Sequence, residues 1–132
     1  MSVYDLFVDG ACKNKVGSFG YVLYRGGKQI DYGYGIVGEG QYMTHTVAEY
    51  CAVSFGLDAF IRKTDMLSPV LNVYGDSKFV ISQLRKEIHE FEELQFIAMK
   101  LSQIRRYAQV NIAWVPRSSN KIANDLAKKL RS

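Results

Sequence analysis

The segment Pro69-Val70-Leu71-Asn72-Val73-Tyr74-Gly75-Asp76-Ser77 is a short apolar run that stops at an acid. Val70 to Tyr74 reads as a strand opened by Pro69, and Val80, Ile81 and Leu84 follow it at helical spacing. A strand that passes straight into a helix belongs to a β-α-β crossover, whose next strand runs parallel to it. Further along, a charged connection from Arg85 to His89 leads to a longer helix through Phe91, Leu94, Ile97, Ala98, Leu101 and Ile104. The strand Val110 to Val115 comes next and is ended by Pro116, which cannot donate to a ladder. A last helix from about Ser118 presents Ile122, Ala123, Leu126, Ala127 and Leu130 as its buried stripe.

Upstream the pattern differs. Residues 3–9 alternate, a second run covers Gly20 to Tyr24, and Arg25-Gly26-Gly27-Lys28 turns the chain into Gln29 to Val37. These predict an antiparallel meander of three strands. From Val47 to Arg62-Lys63-Thr64 the period changes to that of a helix. With right-handed crossovers, the fourth and fifth strands fall beside the first. The expected fold is α/β: a five-stranded mixed sheet, three strands antiparallel and two parallel, with helices on both faces.

Three acids sit at the joints of this plan: Asp9 in Phe7-Val8-Asp9-Gly10, Glu49 in Thr46-Val47-Ala48-Glu49, and Asp76. If the strands ending at Asp9 and Asp76 are parallel neighbours, both carboxylates emerge at one carboxyl edge, where α/β sheets hold their ligands. Each acid also has a structural reading. Asp9-Gly10 is a turn dipeptide, Thr46-x-x-Glu49 fits a capping box, and Asp76-Ser77 fits a helix N-cap.

A chain of 132 residues with 48% hydrophobic content supports one well-buried core, so a single domain over 1–132 is expected. No apolar run approaches the roughly 20 residues of a membrane span, and the first residues carry no signal-peptide pattern. A soluble, cytoplasmic protein is expected. Cys12 and Cys51 have neither zinc-site spacing nor a nearby histidine pair, and neither a disulfide framework nor a catalytic thiol is expected. The net charge of +4 points weakly to a polyanionic partner.

Taken in order, four blocks resemble the type 1 ribonuclease H family: Asp9-Gly10-Ala11; Thr44-x-x-x-Ala48-Glu49-Tyr50-x-Ala52 with Gly56-Leu57; Gly75-Asp76-Ser77 with Gln83-Leu84; and Trp114-Val115-Pro116-Arg117-x-x-Asn120-x-x-Ala123 with Leu126-Ala127. The resemblance runs from Val3 to Leu130. It implies hydrolysis of the RNA strand of an RNA–DNA hybrid with two magnesium ions, for which manganese is a substitute. Asp9 would bridge the ions, and Glu49 and Asp76 would complete their coordination. The resemblance also implies substrate contacts at Gly10, Ala11, Cys12, Thr44, His45, Thr46, Ser77, Arg117 and Asn120. No membrane partner is implied, and a monomer is expected.

The sequence departs from the family pattern at the fourth acidic position. Four residues on from Asn120 and two back from Leu126, the family's last aspartate falls on Asn124, and Asp125 follows it. A stripe centred on Ile122, Leu126 and Leu130 puts positions 124 and 125 equally far from its centre, so Asp125 stays open as the alternative ligand. An asparagine there leaves a second function in play: a weak or inactive module that binds hybrid or double-stranded RNA. His45-Thr46 stands where the family commonly has two asparagines. The loop before the last helix has no histidine, leaving Arg117 to pin a phosphate. Lys13, Lys15, Lys78, Lys121 and Lys128 are candidate backbone contacts, whereas Tyr21, Tyr24, Tyr32, Tyr34 and Trp114 are read as sheet-packing residues.

Overall fold

The computed structural model describes residues 2–86 and 92–130; His89 and Phe91 lie outside them. Strands β1 (Val3–Lys13), β2 (Val16–Arg25) and β3 (Lys28–Glu39) form the meander, and helix α1 (His45–Lys63) follows. Strand β4 (Val70–Gly75) leads to helices α2 (Lys78–Leu84) and α3 (Glu92–Ile104), then to strand β5 (Gln109–Trp114) and helix α4 (Lys121–Ala127). The sheet order is β3-β2-β1-β4-β5, with β4 parallel to both β1 and β5, as the crossover argument requires.

Two glycines set how closely the helices lie on the sheet. A side chain at Gly10 would collide with the backbone of Ala48 and Glu49, so its absence lets the start of α1 rest directly on β1. Gly20 does the same on the opposite face, where an added Cβ would meet the backbone of Ala123 and Ala127 in α4. Asp9 is the cross-strand partner of Gly20, and alternate residues point to opposite faces, so the Asp9 side chain points toward α4. Beneath α1, Tyr4 meets Phe60 edge-on at 5.1 Å, inside a core that includes Leu6, Leu57, Leu71, Leu94, Ile97 and Ile104.

Several sequence expectations need correction. β1 continues past Asp9 to Lys13, because it pairs with β2 as far as Lys13 and Val16 and turns through Asn14 and Lys15. Asp9-Gly10 is therefore not a turn. The N-cap of α1 is Thr44, which accepts from the Val47 N–H at 3.1 Å, so Thr46 and Glu49 form no capping box. Ser77, not Asp76, caps α2 by accepting from Val80 N–H at 3.2 Å.

The last helix differs most. A short 3₁₀ turn at Arg117–Ser119 precedes α4, and the buried residues are Ala123, Asn124 and Ala127, while Ile122 and Leu130 are exposed. The small side chains face the sheet because the contact at Gly20 is a backbone-to-backbone approach. Ser18 Oγ fastens it by donating to the Ala127 carbonyl. Of the bulky aliphatics, Leu126 is half-buried and Ile122 and Leu130 turn to solvent.

Candidate active site

β1 and β4 stay paired from Val3–Val70 to Phe7–Tyr74. Asp9, still paired with β2, and Asp76, just past β4, each stand two residues beyond that last pair, where the β1–β4 ladder has opened. Glu49 comes in from α1 above Gly10. The residues Asp9 and Glu49 are buried, and so is the Asp76 side chain. A carboxylate oxygen of Asp9, one of Glu49 and a ring nitrogen of His45 all lie within 4.8 Å of one another.

The neighbours of these acids are polar and specific. Asn124 Nδ2 donates to Asp9 Oδ2 at 2.7 Å, whereas Asp125 is exposed. Of the two open alternatives, position 124 is therefore the one that faces the acids. Asn120 is buried, its amide nitrogen donating to the Val8 carbonyl at 2.9 Å and to Asp76 Oδ2 at 3.1 Å. Trp114 donates from its indole nitrogen to the Asp76 carbonyl at 3.0 Å, and the Lys78 ammonium lies 4.7 Å over its ring. Arg117 Nη2 reaches within 4.0 Å of Asp76 Oδ1 from an exposed position. His45 Nε2 contacts Glu49 Oε1 at 2.9 Å.

Three of the expected substrate contacts are buried. Gly10 is buried beneath α1, Ala11 is buried next to it in β1, and Asn120 is buried with its amide nitrogen committed to Val8 and Asp76 and its Oδ1 without a hydrogen-bond partner. Asn120 instead positions Asp76. Thr44, His45 and Arg117 are exposed, and Cys12, Thr46 and Ser77 are half-buried. Sequence reasoning gave Trp114 only a packing role; it ends β5, paired with Gly75, and in addition holds the Asp76 loop. It also missed the pairing of His45 with Glu49, for which the spacing of four on one helix face was the available signal.

Burial, then repulsion from Asp76 and Glu49, pushes the Asp9 carboxyl up to about 7, against the opposing help of Asn124 and Arg117. His45 is also raised, chiefly by its hydrogen bond to Glu49. Buried carboxylates this close are held at a cost that a divalent cation removes. All three offer the hard oxygens that magnesium or manganese accepts, so the donor set fits such ions.

Between about pH 4 and pH 7 the folded chain holds a proton on Asp9 that an unfolded aspartate has already released. Stability without metal must then fall as pH rises through that window, and the raised His45 acts in the same direction. The melting temperature in chelator is expected to be higher at pH 5 than at pH 8, with magnesium at pH 8 recovering part of the difference. A melting temperature that does not change with pH, or that magnesium leaves untouched, would show that the acids do not repel one another.

Sheet order, crossover helices and acids gathered beyond the paired ends of β1 and β4 define a ribonuclease H-like fold. The chain belongs to the reverse transcriptase-like family, whose model matches residues 7–130. It is similar to RNase H1 from the halophilic archaeon Halobacterium salinarum NRC-1, with 25% identity, a TM-score of 0.77 and 96% of each chain covered. It is also similar to the N-terminal RNase H domain of rv2228c from Mycobacterium tuberculosis, with 22% identity, a TM-score of 0.78, and 96% and 97% of the two chains covered. A third similar structure is LC11-RNase H1 in complex with RNA/DNA hybrid, with 19% identity, a TM-score of 0.73 and both chains covered in full.

Proposed function

We propose that this chain is a metal-dependent endoribonuclease that hydrolyses the RNA strand of RNA–DNA hybrids, acting as a single-domain monomer. The observation that carries this reading is the cluster of Asp9, Glu49 and Asp76, buried together at the open end of the β1–β4 ladder. It is supported by the likeness in fold to LC11-RNase H1, whose structure holds an RNA/DNA hybrid.

Asp9, which feels the charge of both Asp76 and Glu49, would hold two magnesium ions together with them. Such ions, when bound, activate the attacking water and stabilise the leaving oxygen of an in-line displacement. Asn120 and the Trp114 indole keep Asp76 turned to the site. Asn124, with an amide in place of a fourth carboxylate, would offer such an ion an oxygen without charge. Arg117 pins a phosphate at the rim, and the exposed Lys13, Lys15, Lys78, Lys121 and Lys128 add charge along the path of the backbone. Thr44 and Thr46 face the minor groove, where hybrids are told apart by shape and 2′-hydroxyls rather than base sequence.

One observation favours a second reading, a non-hydrolytic module that binds hybrid or double-stranded RNA: the fourth position holds Asn124, already spent on Asp9. Incubating labelled hybrid, duplex RNA and duplex DNA with magnesium or manganese separates the two. Cleavage of the RNA strand of the hybrid alone, leaving 5′-phosphates, is the expected result. Binding without cleavage in either ion selects the second reading. In calcium, hybrid affinity is expected to fall steeply with salt as phosphate contacts lose counterion release, and a log–log slope near zero would remove the hybrid groove altogether.

A further inference from the structure

A nitrogen donor sits among the acids where oxygen chemistry alone does not require one. His45 and Glu49 are four residues apart in α1, which stacks their side chains on one face of the helix. Two ligands at that spacing can grip a single ion, as paired side chains on one helix face do in zinc sites. The distance between His45 Nε2 and Glu49 Oε1 is 2.9 Å. Adjacent ligands at right angles on an ion with bonds of about 2.1 Å stand about 3.0 Å apart, so the pair is already spaced as two neighbouring vertices of a coordination shell. A carboxylate oxygen of Asp9 closes the group, all three atoms lying within 4.8 Å. The Glu49 side chain is 6% exposed, while that of His45 is 53% exposed, leaving the ring room to adjust.

We propose that His45 is itself a metal ligand, forming with Glu49 and Asp9 a mixed nitrogen and oxygen site that prefers manganese, cobalt or zinc to magnesium. The proposal deepens the nuclease reading by assigning one of its ion sites a selectivity. Magnesium gains little from an imidazole because it is hard and keeps its waters, whereas affinities of nitrogen sites climb along the first transition row. The bland alternative is that the ring only donates a hydrogen bond that orients Glu49. In that case its removal would weaken every ion alike, including magnesium.

The test uses the full chain without nucleic acid, comparing wild type with His45→Gln, which keeps a donor but loses the imidazole, and with His45→Ala. Cobalt is titrated by its visible absorption, and zinc and magnesium by calorimetry. Wild type is expected to bind cobalt and zinc roughly tenfold or more tightly than either variant, with magnesium affinity unchanged within about a factor of two. The cobalt bands should also shift when the nitrogen ligand is lost. Equal cobalt affinity and identical spectra in His45→Gln would overturn the proposal, and so would an equal loss for magnesium. A hybrid cleavage assay on wild type is read separately. If the hybrid is never cut while cobalt binding still needs His45, the nuclease reading fails and the metal site stands.

Discussion

Asp9→Asn is expected to lower hybrid cleavage by about a thousandfold or more, the scale on which preorganised electrostatic groups act, while the fold persists. Asp9 contributes charge to the centre of the cluster and little packing, since its described contacts are polar: Asn124 Nδ2 at 2.7 Å and the Gly10 N–H at 3.0 Å. The same substitution removes the buried charge whose proton affinity burial and two neighbouring acids have raised. The variant should therefore be inactive and yet, in chelator at pH 8, melt at or above the wild-type temperature, with less change between pH 5 and pH 8. That pairing separates loss of chemistry from loss of structure. Hybrid binding in calcium should survive. Cleavage near the wild-type rate would show that the assigned ions are held elsewhere.

Much of the fold is legible because it depends on periodicity. The switch from period two to helical spacing at Val47, and the passage from strand to helix at Asp76, set the element order, and crossover handedness then fixes β4 beside β1. The end of β1 was not legible in that way. Its alternation stops being apolar at Asp9, but the ladder with β2 continues to Lys13 on backbone hydrogen bonds that need no particular side chain. Caps were legible in type but not in place, since Thr44 and Thr46 are equivalent until the geometry of the first turn selects one.

At the site, α4 shows why a hydrophobic stripe can mislead. Ile122 and Leu126 are its largest apolar residues, yet Ile122 is exposed and Leu126 only half-buried, and the buried face is Ala123, Asn124 and Ala127, because the helix backbone lies close on Gly20. A bare glycine on β2 and small residues on a helix 100 residues later form a pair that no local window compares. Of the three acids only Asp76 stands at a junction, between β4 and α2, whereas Asp9 lies inside β1 at the end of its apolar run and Glu49 inside α1. The partners Asn120 and Trp114, which turn Asp76 toward the cluster, depend on contacts across 44 and 38 residues.

Because the true buried face carries Asn124, the identity of that one side chain sets how much positive charge the cluster can hold. Three carboxylates balance two divalent ions less well than four, so one ion should bind weakly in the wild-type protein and the rate should keep rising with magnesium concentration. Asn124→Asp exchanges a neutral amide that already donates to Asp9 for a fourth charge at the same place. Without metal, that charge adds to the repulsion and should lower the melting temperature at pH 8. With magnesium, it should raise the rate by roughly tenfold, the worth of about 1.4 kcal/mol of transition-state stabilisation, and reduce the concentration needed for half-maximal activity. Asp125→Asn is the control, and its exposed position predicts little change in either quantity. An unchanged magnesium titration in Asn124→Asp would mean that the fourth position does not take part. Loss of cleavage in Asp125→Asn would mean that α4 rotates when metal binds and brings the exposed acid inward.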